Sequence, residues 1–119
     1  MPRRPRIQLD GVPLHSVQRG QNREPCFFSE EDYASYLHWL GEALGEAVCA
    51  LHAYVLMTHR VPLLVTPKKA AAVPKFMMSL GWRHVQYIHR TRDRSGTLWD
   101  SRYKSGAGAD LPADVLALY

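Results

Sequence analysis

The sequence predicts an α+β domain in which two helices pack on one face of an antiparallel sheet. Its hydrophobic patterns follow the order strand, helix, strand, strand, helix, strand, which is the ferredoxin-like βαββαβ arrangement. The two middle strands lie close enough along the chain to form a hairpin. The chain has 119 residues, 46% of them apolar. This suffices for one hydrophobic core but not for two, so we expect a single domain over 1–119.

The first strand and the first helix are predicted from residues 14–47. Residues 14–18, LHSVQ, alternate apolar and polar side chains, which is typical of a short half-buried strand. Ser29 is a suitable helix N-cap, and three acidic residues follow it in the first turn. Apolar residues then recur at helical spacing, and the pattern ends near Ala47.

The stretch LHAYVLMTHRVPLLVTP contains two apolar runs, at 50–57 and 61–66, and the three residues between them predict a tight hairpin. Pro62 lacks an N–H donor, and within sheets proline is confined to edges, strand starts and bulges. We expect position 62 to be tolerable because it lies near the start of the second run.

The second helix is predicted over 73–89, followed by a loop and a final strand over 97–104 with Leu98 facing inward. Six residues of the helix fall on one inward face: Val73, Phe76, Met77, Leu80, His84 and Ile88.

Charge and the termini suggest a nucleic-acid partner. Fifteen Lys and Arg residues stand against eleven Asp and Glu residues, giving a formal charge of +4, which suits a polyanion. Residues 1–12 form a basic arm, and 106–119 form a flexible segment that ends in half a helix, as if truncated.

No apolar run resembles a membrane span or a signal peptide, so we expect a cytoplasmic protein without membrane contact. Cys26 and Cys49 are far apart, which favours reduced thiols.

Several stretches together resemble the single-tyrosine HUH transposases, of the insertion-sequence two-hundred and REP-associated class. They are RPRIQLDGVPLH, VQRGQNREPCFF, LHAYVLMT followed by LLVTP, SLGWRHVQYIHRT, and RSGTLWDSRYKS. The resemblance covers nearly the whole chain. It implies DNA as partner, single-stranded or with a hairpin, and a homodimer. Members of that family use Mg or Mn and cut single-stranded DNA through a tyrosine that becomes joined to a 5′ phosphate.

The family's metal ligands are replaced in this chain. After the methionine turn the family has Asn-His-x-His, and two histidines spaced in this way point to the same face of a strand and can hold one divalent ion. The matching positions here are Arg60 and Pro62, and His59 matches the asparagine. Arginine repels a cation, proline offers no donor atom, and His59 would need a one-residue slip of register to take part. We therefore expect no metal site and no metal cofactor.

The family's nucleophile is also missing from the matching region. It lies in a Tyr-Ile-x-x-Asn-Pro stretch on a C-terminal helix, and this chain stops at Tyr119, just before that stretch. Tyr119 is the remaining candidate nucleophile. Tyr87 and Ile88 share the first two letters, but they belong to the earlier helix and lack the Asn-Pro.

Basic and aromatic residues interleave between 83 and 104. Cations that neutralise phosphates beside rings that stack on bases are the components of a single-strand or hairpin binding surface. The predicted DNA-binding residues are Arg83, Tyr87, Arg90, Arg92, Arg94, Trp99, Arg102 and Lys104. The structural alternative is a solvated basic helix face.

The sequence thus predicts a DNA-binding transposase remnant that does not cleave. One alternative is an active transposase that uses Tyr119, Tyr87 or a tyrosine from a partner chain. Another is an RNA-binding or protein-interaction module on the same fold, for which Tyr54 is the only obvious exposed aromatic on the central strands. The last alternative is a decayed gene product that does not fold stably. The histidines form no spaced ligand pair.

Overall fold

The computed structural model describes residues 9–93, 95–100 and 103–107. Six main elements follow in the predicted order: β1 (Leu14–Arg19), α1 (Glu30–Ala47), β2 (Cys49–Tyr54), β3 (Arg60–Pro67), α2 (Val73–Arg92) and β4 (Lys104–Ala107). The strands form one sheet in the order β2-β3-β1-β4, and every neighbouring pair is antiparallel. This is the ferredoxin-like arrangement, and the predicted fold class is confirmed.

The core lies between the two helices and the face of the sheet that they cover. Val61, Leu63 and Val65 alternate along β3, and each is fully buried against side chains of α1 and α2. All six residues predicted for the inward face of α2 are buried, which confirms that face. Each fully buried aliphatic side chain contributes roughly 1.5–3 kcal/mol, so this layer supplies most of the driving force.

The start of α1 is where the sequence predicts it, with Ser29 at the N-cap position. The Ser29 hydroxyl makes no capping hydrogen bond, however, and it accepts a hydrogen bond from Arg92 at 2.7 Å. Asp32 instead reaches back and accepts a hydrogen bond from the backbone N–H of Phe28 at 2.7 Å. The acidic first turn therefore fixes the chain entering the helix as well as interacting with the helix dipole.

The prediction that β1 is half-buried is wrong. Four of its six residues are buried, because β1 lies in the sheet between β3 and β4. Ser16 is one of them, and its hydroxyl contacts the sulfur of Met77 on α2 at 3.4 Å. A short alternating pattern shows which residues share a face, but it does not show whether a strand is central.

The hairpin of β2 and β3 closes through a two-residue turn, Thr58 and His59, between mutually hydrogen-bonded Met57 and Arg60. Pro62 is the third residue of β3 and accepts a bond at its carbonyl from Val55 N–H at 3.0 Å. In an antiparallel strand the N and C=O of one residue point to the same side. The proline nitrogen therefore faces Val55, just beyond the end of β2, where regular pairing has stopped and its missing donor matters least.

The predicted final strand over 97–104 is wrong in its position. Trp99 forms only an isolated bridge with Gly20, and β4 begins at Lys104. Leu98 packs against the core as predicted. The apolar residues Leu98 and Trp99 therefore indicate burial rather than a strand. Two residues of the segment that was predicted to be flexible, Gly106 and Ala107, pair with β1. The rest of that segment and most of the predicted basic arm lie outside the described residues.

Both cysteines are free thiols, as expected. Burial raises the pKa of Cys26 to about 12, so that thiol is inert at neutral pH. Neither helix in the described part of the chain is long and apolar enough to cross a membrane.

Candidate nucleic-acid interface

Arg60 and Pro62 share the face of the sheet that points away from the helices. In the β1–β3 register they lie opposite Arg19 and Val17, while Val61 between them faces the core. The paired positions therefore point to one side, as their spacing predicts. A guanidinium group is cationic, however, and a proline ring has no lone pair to donate, so these residues do not fit a divalent ion.

His59 precedes these two positions and is not part of β3. It lies in the hairpin turn, where its carbonyl accepts a bond from Gly20 N–H at 2.8 Å. The register is regular from Arg60 to Val65, so no one-residue slip brings the imidazole onto the ligand face. Among residues 9–93, 95–100 and 103–107, no three His, Cys, Asp or Glu side chains form a group that could hold a metal ion.

A cavity of about 480 Å³ adjoins the first of these positions. We call it the arginine pocket; its lining residues are Arg19, Gly20, Asn22, Arg23, His59, Arg60 and Asp100. The sequence reasoning missed Arg19 and Arg23. The available signal was the segment RGQNR, which lies at the end of the predicted first strand within a stretch that carries the family resemblance.

Backbone hydrogen bonds hold the walls of the arginine pocket together. Gly20 N–H binds the carbonyl of His59, Cys26 N–H binds that of Thr58 at 2.7 Å, and Asp100 N–H binds that of Arg19 at 2.7 Å. At Gly20 an added Cβ would collide with the carbonyl oxygen of Glu24, so only glycine fits there. The three segments that line the pocket are thus fixed by main-chain contacts.

A strained turn forms the rim of the pocket. Asn22 and Arg23 both have left-handed backbone, with φ of 54° and 60°. This conformation costs a non-glycine residue roughly 1–2 kcal/mol, although asparagine tolerates it better than most. Both side chains are exposed.

A family model described as "Transposase IS200 like" matches residues 9–119. The chain belongs to the IS200-like transposase family. Its fold is similar to that of a REP-associated tyrosine transposase bound to a REP hairpin, with a TM-score of 0.74 and 12% identity over 90% of this chain. The chain spans 62% of that relative's length. It is also similar to a Deinococcus radiodurans protein assigned to the transposases, with a TM-score of 0.65 and 17% identity over 98% of this chain and 91% of that one. No curated protein sequence matches it.

Two of the predicted DNA-binding residues of this IS200-like transposase take part in an internal anchor. Asp32 is fully buried, and its carboxylate accepts hydrogen bonds from Tyr87 at 3.0 Å and from Arg92 at 3.1 and 3.2 Å. We call these contacts, with those of Ser29 and Phe28, the Asp32 anchor. It ties the end of α2 to the start of α1.

The Asp32 anchor determines the ionisation of its members. Burial alone would raise the pKa of Asp32, but the hydrogen bonds from Phe28, Tyr87 and Arg92 together outweigh it and leave the pKa below its usual value. Burial and the hydrogen bond to Asp32 raise the pKa of Tyr87. Its hydroxyl is therefore held protonated and engaged, which argues against Tyr87 as a nucleophile.

Arg83 and Trp99 likewise contact other residues of the fold. Arg83 pairs with Glu46 at 3.4 Å, and its guanidinium lies 4.9 Å from the ring centre of Trp39. Trp99 is only 7% exposed and donates from its indole nitrogen to Gly81 O at 3.0 Å. The exposed tryptophan is instead Trp82, at 62%.

Of the remaining predicted residues, the structure describes only some. Arg90 is exposed on α2. Arg94, Arg102, Tyr119 and the side chain of Lys104 lie outside the described residues. The eight-residue DNA surface therefore stays a prediction. Tyr54, on which the RNA-binding alternative depends, is 42% exposed but belongs to β2, an edge strand rather than a central one.

Three histidines make hydrogen bonds within the fold. His84 is fully buried among aromatic rings, and its Nε2 donates to the carbonyl of Cys26 at 2.7 Å. Burial lowers the pKa of His84, which keeps it neutral. His89 donates in the same way to Gly96 O at 2.9 Å, and His52 shares a bond with Thr66.

Proposed function

We propose that this protein binds DNA as a member of the IS200-like transposase family and does not cut it by the metal- and tyrosine-dependent reaction that the family resemblance implies. The observation that carries the second part is the pair Arg60 and Pro62. Both point to the ligand face of β3, and neither can donate a lone pair to a cation.

DNA as the partner is supported by three observations. The family model covers residues 9–119. A structural neighbour with a TM-score of 0.74 is bound to a REP hairpin. The chain itself is basic, with a formal charge of +4. Together they favour single-stranded DNA that carries a hairpin, because that is the substrate class implied by the resemblance.

Elementary chemistry supports the proposal that the protein does not cleave DNA. A tyrosine hydroxyl has a pKa near 10 and is a poor nucleophile at neutral pH. In a metal-dependent reaction a divalent ion withdraws charge from the scissile phosphate and so makes attack feasible. Without ligands for that ion, DNA can be held but its backbone is left intact.

Cleavage and binding are tested with the same labelled DNA. The substrate is a single strand with a hairpin, incubated with the protein and Mn²⁺ and resolved on a denaturing gel. We expect uncut DNA, whereas a protein-linked product would overturn the proposal. In a fluorescence anisotropy titration, affinity should fall steeply as salt rises, since several phosphates are neutralised. A flat salt response would reject binding through the phosphate backbone.

Restoring histidines at the two positions tests whether their replacement alone accounts for the proposed lack of cleavage. The double variant Arg60→His/Pro62→His places two imidazoles on one strand face, and we expect it to bind Mn²⁺ in isothermal titration. The single variant Arg60→His is the control and should bind Mn²⁺ much more weakly. Cleavage by the double variant would show that the chain carries a working nucleophile.

Sedimentation of the protein with and without DNA measures whether it dimerises.

A further inference from the structure

The arginine pocket prefers an anion to a cation. Arg19, Arg23 and Arg60 contribute three guanidinium groups, whereas among its described lining residues Asp100 alone supplies a carboxylate. The lining therefore carries excess positive charge at neutral pH. A guanidinium group presents several N–H donors in one plane, and this geometry matches the oxygens of a phosphate.

The pairing of the two strands concentrates that charge. In the β1–β3 register Arg19 lies directly opposite Arg60, on the sheet face away from the helices. Like charges directly opposite each other on neighbouring strands destabilise a sheet. An anion between the two guanidinium groups attracts both and offsets their repulsion. The register thus brings two guanidinium groups to the same place on this face of the sheet.

The arginine pocket is preorganised for a ligand. Its walls are held by main-chain bonds from Gly20 to His59 and from Asp100 to Arg19. The Nε of Arg60 also lies 3.3 Å from the sulfur of Met57, which restrains that side chain. Strained backbone of the kind seen at Asn22 and Arg23 is typical of ligand-binding loops, because the surrounding structure must maintain it. Preorganisation lowers the entropic cost of binding.

The size of the pocket points to more than a single small ion. Its volume of about 480 Å³ lies within the range of roughly 300–1,000 Å³ that is typical of small-molecule sites. Such a cavity accommodates a phosphodiester together with parts of the neighbouring sugars. Its location beside the first of the family's two ligand positions places that phosphodiester where the resemblance implies a metal-bound one.

We propose that the arginine pocket binds a backbone phosphate of the DNA strand, with the guanidinium groups of Arg19 and Arg60 in place of a metal ion. The proposal rests on the proposed function, since it takes the phosphate to be part of DNA. Arg23, on the strained rim, adds a third positive charge beside the same phosphate. The pocket holds the strand, and no bond of the DNA is made or broken.

The test combines charge-neutral variants with charge-neutral DNA. Hairpin-bearing single strands are made in which one phosphate at a time is replaced by an uncharged methylphosphonate. Wild-type protein should lose roughly 10- to 100-fold in affinity at one position, as expected for a hydrogen-bonded charge interaction. In Arg19→Gln/Arg60→Gln the same replacement should have little further effect. The slope of log K against log salt should also become shallower by about 0.7, the value expected when one phosphate of a single strand is no longer neutralised.

Two variants serve as controls in these titrations. Lys75→Gln removes an exposed positive charge from α2, on the helix side of the sheet, and it should retain the wild-type response to every methylphosphonate. Arg19→Gln alone changes an exposed side chain and should fold normally. It keeps the test valid if the double variant is unstable in thermal melts.

The possible outcomes separate the pocket from the proposed function. Equal losses for wild type and double variant at every position would overturn the pocket but leave the proposed function standing, because DNA is still bound. Failure of wild type to bind any DNA would overturn both. Binding of inorganic phosphate through Arg19 and Arg60 without DNA binding would identify a free-phosphate site and overturn the strand proposal. Tighter binding of RNA of the same sequence would overturn the choice of DNA.

Discussion

Removing the carboxylate of the Asp32 anchor should destabilise the whole fold. In Asp32→Ala the N–H of Phe28, the hydroxyl of Tyr87 and the guanidinium of Arg92 all lose their shared acceptor. Breaking a buried ion pair by removing one partner costs about 3–5 kcal/mol. The Arg92 side chain is 34% exposed, so it regains hydration, and we expect the lower end, about 3 kcal/mol of unfolding free energy.

Urea denaturation followed by far-UV circular dichroism measures this loss. For a domain of this size about 3 kcal/mol corresponds to a fall in Tm of roughly 12 °C. Glu31→Ala is the matched control, because Glu31 is an exposed acid in the same helical turn. Its removal should cost about 0.3–1 kcal/mol through the helix dipole. If both variants lost the same stability, the anchor would be no more than a surface ion pair.

The pH dependence of stability gives an independent check on the anchor. The folded-state pKa of Asp32 is lowered, so the ionised form stabilises the native state at pH above the unfolded pKa of about 3.9. That contribution is lost as the pH falls below about 4 toward the lower folded value. The stability difference between wild type and Asp32→Asn should therefore be constant from about pH 5 to 7 and shrink below about pH 4. A difference that grew in acid would contradict the assigned shift.

Two further predictions concern a glycine and a histidine. Gly20→Ala should lose about 1–3 kcal/mol of unfolding free energy, because its Cβ would meet the carbonyl of Glu24. The control is Gly41→Ala in α1, whose Cβ would meet nothing within 4 Å and which should gain about 0.5–1 kcal/mol. Equal effects of the two variants in thermal melts would reject the close approach at Gly20. The lowered pKa of His84 means that the unfolded chain takes up a proton before the native state does, so stability should decline as the pH falls below about 6.5. Urea melts at about pH 5.5 and 7 should show this decline in His38→Gln but not in His84→Phe, and an unchanged decline in His84→Phe would refute the assignment.

The fold class could be predicted because it depends on patterns that repeat within each element. The inward face of α2 was predicted without error, since residues three and four apart along a helix lie on the same side and burial selects the apolar ones. The position of Ser29 and the shared face of Arg60 and Pro62 follow from the same local geometry. The position of β4 could not be predicted, because Gly106 and Ala107 carry no hydrophobic pattern and are held by backbone pairing with β1.

The candidate site was predicted only where it depends on a single strand. The shared face of Arg60 and Pro62 could be predicted from the strand alone, because strand parity fixes the direction of their side chains. The prediction of Trp99 as a stacking ring illustrates the opposite case. A tryptophan's identity does not reveal whether its ring is buried, and the structure exposes Trp82 instead.

By itself the sequence determined the ferredoxin-like order of elements, the apolar face of α2 and the shared strand face of Arg60 and Pro62. Each depends on the identity and spacing of residues within one element. Only the tertiary structure decided that Arg19 lies opposite Arg60 and that Arg92 is occupied by Asp32. Both pairs join residues far apart along the chain, and their meeting is fixed by how the whole chain buries its apolar surface rather than by any local pattern.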